Sequence, residues 1–105
     1  STTIRDCKGD YVIFSMSKLR NVSFNQCFLR GGGLDNCQFT NVEFEHCNLV
    51  EAELHRTSLK GIDLTSSEIA GIRIGSIPGG ELKGATVTSL QALDIARMLG
   101  ITIKD

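Results

Sequence analysis

Four cysteines carry the most reactive side chains of this 105-residue chain. Cys7, Cys27, Cys37 and Cys47 are separated by 20, 10 and 10 residues, so the CxxC spacing typical of metal sites does not occur among them. Free cysteine is among the most buried residue types and packs as a small hydrophobic group. The spacing therefore predicts buried thiols in a reducing compartment rather than a metal site.

The histidines and carboxylates form no recognisable catalytic or metal-binding pattern. His46 and His55 lie near Glu45 and Glu51 in sequence, but no third ligand follows at a usable spacing. The glycine run 31–33 lacks the Lys-Ser/Thr pair that completes a phosphate-binding loop. No serine lies in a nucleophile elbow. We therefore predict a protein that is not an enzyme and that has no metal and no cofactor.

Large apolar residues recur every five positions through most of the chain. Thirteen follow one another without interruption: Phe14, Leu19, Phe24, Leu29, Leu34, Phe39, Phe44, Leu49, Leu54, Leu59, Leu64, Ile69 and Ile74. This period matches neither the 3.6-residue period of a helix nor the two-residue period of a strand. The residue two places earlier is never charged, so both positions are predicted to point inward. Self-similarity at a fixed period is typical of a solenoid.

The unit resembles that of the pentapeptide-repeat proteins, roughly Ala-(Asp/Asn)-Leu-x-x. Cys47-Asn48-Leu49, Ala52-Glu53-Leu54 and Ile62-Asp63-Leu64 carry the resemblance. It implies an all-β solenoid, a right-handed quadrilateral β-helix with four pentapeptides to a coil, in which residues twenty apart stack. Cys7, Cys27 and Cys47 would then form one column about 4.8 Å apart. That spacing leaves a disulfide open as the alternative to buried thiols.

The repeat is predicted to occupy residues 1–87, with two irregular places. Residues 1–11 keep the phase only partly and are interpreted as a frayed first coil. The phase then breaks at a proline and glycine segment, which predicts a loop insertion at about 76–80. No capping helix precedes the first coil, so the chain is expected to be the carboxy-terminal part of a longer protein.

Residues 88–105 are predicted to form a capping and dimerisation module. Thr88 and Gln91 have the spacing of a capping box, the following residues are apolar, and Gly100 is placed to stop a helix over 89–99. Residues 101–103 alternate as a short terminal strand. The candidate dimer interface on the helix consists of Leu90, Leu93 and Met98.

Four-sided coils would separate the charges onto different faces. The acidic face, made of segments 22–26, 42–46 and 62–66, carries the candidate partner-binding residues Glu43, Glu45 and Asp63. The basic face, made of segments 17–21, 37–41 and 57–61, carries Lys18, Arg20 and Lys60. The net charge of −1 therefore conceals two oppositely charged stripes, which would orient a charged partner.

The carboxy-terminal part is most similar to the corresponding half of Qnr-type quinolone-resistance proteins, again a repeat run followed by a helix. That resemblance implies a homodimer that binds a type II topoisomerase such as DNA gyrase by imitating DNA. The net charge of −1 argues against direct contact with nucleic acid or a membrane surface. No apolar stretch has the length of a membrane span and no signal peptide is recognised, so the protein is expected to be cytoplasmic. The alternatives are a structural or scaffold repeat domain with another protein partner and, thirdly, an enzyme.

Overall fold

Successive coils of twenty residues are joined by parallel backbone hydrogen bonds. The computed structural model describes residues 1–75 and 80–105, which form a rod of 42 × 24 × 24 Å. Three strands form one parallel sheet in the order β1 (Thr2–Arg5), β2 (Lys18–Asn25) and β3 (Gln38–Glu45). A single helix, α1 (Ser89–Met98), completes the described elements.

The pairing register confirms the coil length expected from the resemblance. Phe24 is the partner of Phe44 across β2 and β3, and isolated bridges continue the same twenty-residue offset through the following coil. The rings of Phe24 and Phe44 are stacked, with centroids 5.2 Å apart and planes inclined by 6°. Stacking of equivalent side chains from neighbouring coils is the arrangement that defines a β-helix.

The amino-terminal segment, interpreted from the sequence as a frayed first coil, pairs with the next coil over residues 2–5. Thr2–Arg5 pairs with the second half of β2, and Ile4 is the partner of Phe24. Backbone pairing at this end does not require every inward position to hold a large apolar residue. Ile4 and Cys7 supply enough apolar surface to pack against the core.

Left-handed backbone recurs at the corners of the coils. Positive φ angles recur at each fifth residue from Asp6 to Gly61. At many of these corners the carbonyl of a large inward residue accepts from the N–H three residues on, as in the 3.0 Å bond from Ala52 N to Leu49 O. A positive φ at the third residue, here Glu51 at 58°, makes this a type II turn. Gly31, Gly61 and Gly71 fill such corners with the residue that these turns favour.

The core is a set of internal ladders built from both inward positions of the repeat. Buried leucine, phenylalanine and isoleucine side chains alternate with small residues such as Cys27, Ala52 and Thr57. Each large side chain contributes roughly 1.5–3 kcal/mol on burial, so the stack supplies a core that a chain of this length would otherwise lack.

The last coil pairs with a shifted register. Asp63 bridges to Thr86, twenty-three residues later, instead of the twenty-residue offset seen elsewhere. Leu59 N correspondingly donates to Glu81 O at 2.8 Å. The predicted insertion at about 76–80 falls mostly on residues 76–79, which lie outside the described part of the chain.

Helix α1 has the amino-terminal cap that its sequence predicted. The Thr88 hydroxyl accepts from Gln91 N at 3.0 Å, while Gln91 Oε1 accepts from Thr88 N at 2.8 Å. Gly100, at φ 77°, lets its own N–H and that of Ile101 reach back to helix carbonyls in a Schellman motif. The helix therefore ends at Met98, with Leu99 as its cap.

The short terminal strand predicted over 101–103 is wrong. Residues 101–105 are irregular, and none of them pairs with a strand among the described residues. A single extended segment has no ladder partner of its own, and the Ile101 N–H is already used by Ala96 O at the helix end.

Candidate interaction surfaces

The three predicted carboxylates of the acidic face lie around one groove. Glu43 and Glu45 project from β3, and Asp63 lies on the next coil; Phe44 forms part of the groove floor. Each carboxylate of β3 is met by a polar neighbour from β2: Asn25 Nδ2 donates to Glu45 Oε2 at 3.2 Å, and Ser23 Oγ lies 3.5 Å from Glu43 Oε2. The parallel ladder therefore brings together residues that are twenty apart in sequence.

Asp63 is held by its own pentapeptide. Its Oδ1 accepts from the Thr65 hydroxyl at 2.6 Å and from Thr65 N at 2.8 Å. These two hydrogen bonds lower the pKa of Asp63 from its ordinary value. The carboxylate consequently remains charged at neutral pH and faces solvent.

The first strand adds a base to the column that contains Glu45. Arg5 is the partner of Asn25, and Asn25 is in turn the partner of Glu45. The acidic face thus ends in a basic residue at its amino-terminal edge. Sequence reasoning missed this residue because the segment before residue 11 was not assigned to a face.

The basic face extends further than the sequence indicated. Arg20 pairs with Thr40 across β2 and β3. The shifted register then places Lys83 beside Lys60, since Gly61 N donates to Gly84 O at 3.0 Å. Lys83 was missed because its position depends on the phase break that precedes it.

Glu81 is a buried carboxylate that sequence reasoning did not single out. Its Oε2 accepts from Gly75 N at 2.8 Å and from Arg56 N at 3.1 Å. Burial alone would raise the pKa of Glu81, but the hydrogen bonds from Gly75 and Arg56, together with the nearby His55, bring that pKa below its ordinary value. Its signal in the sequence is weak: an acid beside a break in the repeat.

The residues predicted to form a dimer interface divide between two environments. Leu90 is 76% exposed and Leu93 is 37% exposed, so both face outward from α1. Met98 is only partly exposed and packs against the solenoid core with Ile95. The structure therefore brings Leu90 and Leu93 to one exposed side but assigns Met98 to helix docking.

Gln91 anchors the helix to the end of the stack. Its Nε2 donates to Leu64 O at 2.6 Å and to Ser67 O at 2.7 Å, while its Oε1 completes the capping box. One side chain thus bonds to the N–H at the start of the helix and to two carbonyls of the neighbouring coil. The capping pattern located this residue, but its contacts with residues 64 and 67 required the fold.

Apolar side chains are exposed on the amino-terminal half of the rod. Tyr11, Ile13, Met16 and Phe28 all lie at outward positions. The Tyr11 ring lies close over Gly31, where an added Cβ would come within 2.6 Å of the ring. The glycine at residue 31 therefore provides space for an aromatic side chain of the preceding coil.

The cysteines are free thiols that donate hydrogen bonds along the stack. Cys27, Cys37 and Cys47 are buried, and each Sγ lies 3.1–3.4 Å from a carbonyl oxygen of the preceding coil. Burial raises the pKa of the Cys47 thiol. The disulfide alternative is not adopted in this structure.

Residues 1–75 and 80–105 contain no group of three or more His, Cys, Asp or Glu side chains placed to hold a metal ion. In the same residues, the one helix is too short to cross a bilayer.

Three solved structures of QnrB1, described as a plasmid-mediated fluoroquinolone resistance protein, are similar to this chain. The full-length protein is 14% identical over 94% of this chain and 71% of its own, with a TM-score of 0.41. One trypsin-treated variant is 13% identical over 99% of this chain and 98% of its own, with a TM-score of 0.37. A second is 15% identical over 98% of this chain and 70% of its own, with a TM-score of 0.40.

No curated protein matches the chain. The family model described as "Pentapeptide repeat region" matches residues 1–54, which is just over half of the sequence. The twenty-residue register and the stacked phenylalanines are the structural counterpart of that match. The chain belongs to the pentapeptide-repeat family.

Proposed function

We propose that this chain is a non-catalytic, right-handed quadrilateral rod that binds a protein partner through its charged faces. The observation that carries the proposal is the gathering of Glu43, Glu45 and Asp63 around one groove, next to a face of bases. Oppositely charged stripes on adjoining faces would orient a partner and accelerate its encounter.

The proposed partner is a type II topoisomerase such as DNA gyrase, with the acidic face imitating DNA. Coils stacked like strands place Glu43 and Asp63, which are twenty residues apart, about 4.8 Å from each other. One strand of duplex DNA carries a phosphate about every 3.4 Å along the helix axis, so the spacing of this pair is comparable to that of adjacent phosphates. The resemblance of the repeat run to Qnr-type proteins supplies the choice of enzyme and predicts protection from quinolones in the cytoplasm.

A gyrase supercoiling assay with a quinolone tests this proposal. We expect micromolar protein to restore supercoiling, and we expect the triple change Glu43→Gln, Glu45→Gln and Asp63→Asn to abolish the effect. The matched control neutralises three exposed carboxylates outside the acidic face, Asp10→Asn, Glu53→Gln and Glu68→Gln, and should retain protection. If the unaltered protein neither protects nor inhibits gyrase, the topoisomerase is excluded as the partner.

A structural or scaffold role with a different protein partner is the second candidate. The exposed apolar residues Tyr11, Ile13 and Met16 favour it, because they provide a contact surface that DNA imitation does not require. If the folded protein has no effect on gyrase in the assay above, this is the better description.

We further propose that the protein is a homodimer joined through α1. Leu90 and Leu93 offer an exposed apolar side of the helix. We expect Leu93→Asp to produce monomers in sedimentation velocity with an unchanged β signal in circular dichroism. Ala92→Asp adds the same charge at a neighbouring exposed position and should leave the dimer intact. An unaltered dimer in Leu93→Asp would contradict the proposed interface.

A further inference from the structure

Glu81 has a role that neither the repeat pattern nor the proposed charged faces explain. The residue is only 7% exposed, although glutamate is almost never buried without a partner. A single carboxylate oxygen, Oε2, accepts from two main-chain N–H groups, those of Gly75 and Arg56. These two donors come from parts of the chain that are 19 residues apart.

The equivalent bond one coil earlier shows what the carboxylate replaces. Asn36 N donates to the main-chain carbonyl of His55 at 2.8 Å. Arg56 occupies the same place in the next coil, but its N–H donates to the side chain of Glu81 at 3.1 Å. At the break in the repeat, a side-chain oxygen therefore substitutes for the carbonyl that a regular coil would supply.

Gly75 leaves the space in which this substitution occurs. A Cβ added at Gly75 would lie 2.8 Å from Glu81 Oε2, which is closer than real Cβ atoms approach. The φ angle of Gly75 is not in the left-handed region, so the backbone itself does not require glycine here. The absence of a side chain at Gly75 therefore leaves the space that the Glu81 carboxylate occupies.

The same segment lies next to the end of α1. Ile74 and Gly75 line one groove together with Met98 and Leu99 at the end of the helix, and His55 borders the same groove. Ile74 and Met98 both pack against the solenoid core. A displacement of Gly75 would therefore alter the groove that it lines together with the last turn of α1.

We propose that Glu81 is a conformational latch that closes the last coil through Arg56 and Gly75 and thereby holds the carboxy-terminal helix against the stack. When the carboxylate leaves the two N–H groups, they become unpaired, the segment at Gly75 is released, and α1 loosens. The effect of this release on self-association rests on the proposed dimer, because Leu90 and Leu93 lie on the same helix.

Amide hydrogen exchange tests the latch directly. Glu81→Leu removes the acceptor, and we expect the Arg56 and Gly75 amides to exchange about tenfold faster or more, together with the amides of α1. Glu81→Gln keeps an acceptor without its charge and should give a smaller increase. Glu53→Gln, an exposed carboxylate on a regular coil, should match the unaltered protein, and exchange in β2 and β3 should not change in any variant.

A second variant leaves the carboxylate in place and blocks its access. We expect Gly75→Ala to reproduce the faster exchange of Arg56 and α1, because the added methyl group occupies the approach to Oε2. All measurements are made in the Leu93→Asp background, so a failure of the latch is distinguishable from a failure of the proposed dimer. Unchanged exchange of α1 in both Glu81→Leu and Gly75→Ala would overturn the proposal.

Discussion

The regular coils and the carboxy-terminal closure stabilise their backbones in different ways. Between residues 12 and 72, main-chain donors mostly meet main-chain acceptors of the next coil, such as Leu34 N with Glu53 O at 2.8 Å. Beyond Gly75, main-chain bonds such as that from Gly61 N to Gly84 O continue, but the side chains of Glu81 and Gln91 supply part of the pairing. The stack therefore tolerates many side chains at its outward positions, whereas its end depends on a few individual residues.

Burial of a charge in the regular stack should have the largest effect. Leu49 is 2% exposed, so Leu49→Asp places a carboxylate in the core without a partner. We expect a loss of about 4 kcal/mol or more in the free energy of unfolding, enough to unfold the stack. Thermal denaturation followed by circular dichroism measures it.

The adjacent Asn48→Asp is the matched control. It introduces the same acid at a partly exposed position and keeps the oxygen that accepts from Val50 N. The control should melt near the parent temperature. A cooperative transition at the parent temperature in Leu49→Asp would mean that the ladder interior is not a closed core.

Replacement of the anchor at the end of the stack should have the next largest effect. Gln91→Leu leaves the carbonyls of Leu64 and Ser67 without their donor, and Gln91→Glu does the same while keeping the acceptor of the capping box. We expect each to cost about 1–3 kcal/mol, with Gln91→Glu the more severe because its charge faces two carbonyl oxygens. Chemical denaturation measures the loss.

Amide exchange distinguishes the two ends of the molecule in these variants. The amides of α1 should lose protection, while those of β2 and β3 should remain protected. If Gln91→Glu were as stable as the parent, the capping box alone would be sufficient to hold the helix, and the contrast between the two regions would disappear.

A pH effect of smaller size is expected at Asp35 in the regular stack. Its pKa is lowered, chiefly by the hydrogen bond that Ser15 Oγ donates to Asp35 Oδ1 at 2.5 Å. The resulting stability is present above the unfolded-state pKa, about 3.8–3.9, and is lost as pH falls through the lower folded value. Ser15→Ala should raise the Asp35 pKa in an NMR titration and reduce stability at pH 7 by less than about 1 kcal/mol.

Ser23→Ala serves as the comparison for this titration. It removes a hydroxyl from an outward position of another face and should not change the Asp35 pKa. An Asp35 titration that is the same in Ser15→Ala and in the parent would show that this contact between coils does not act in solution.

The smallest effect is expected at a corner. Met16 has a φ of 64° and is 80% exposed, so its side chain contributes little packing. Met16→Gly relieves about 1–2 kcal/mol of strain in the left-handed backbone. Because glycine also raises the entropy of the unfolded chain, we expect the free energy of unfolding to increase by only about 0.5 kcal/mol. Met16→Ala keeps the strain and should not be stabilised; equal midpoints for the two variants in urea would contradict the assignment.

Much of the fold was predictable because a solenoid repeats one short structural unit. The period from Phe14 to Ile74 specifies which side chains face inward, and pairing at twenty residues then determines which of them stack. The prediction that Glu43, Glu45 and Asp63 share a face followed from the same period, and in the structure the three line one groove. The dimer candidates were less predictable, because Met98 lies on the side of α1 that faces the core.

The amino-acid sequence by itself determined the five-residue unit, the inward ladders, and the capped helix after the repeats. Only the tertiary structure decided the positions of Lys83, Glu81 and Gly75, since these depend on how the chain re-enters the stack after its phase break. The physical reason is that a periodic pattern reports neighbours along a coil, whereas the hydrogen bonds at an end join residues that no local pattern links.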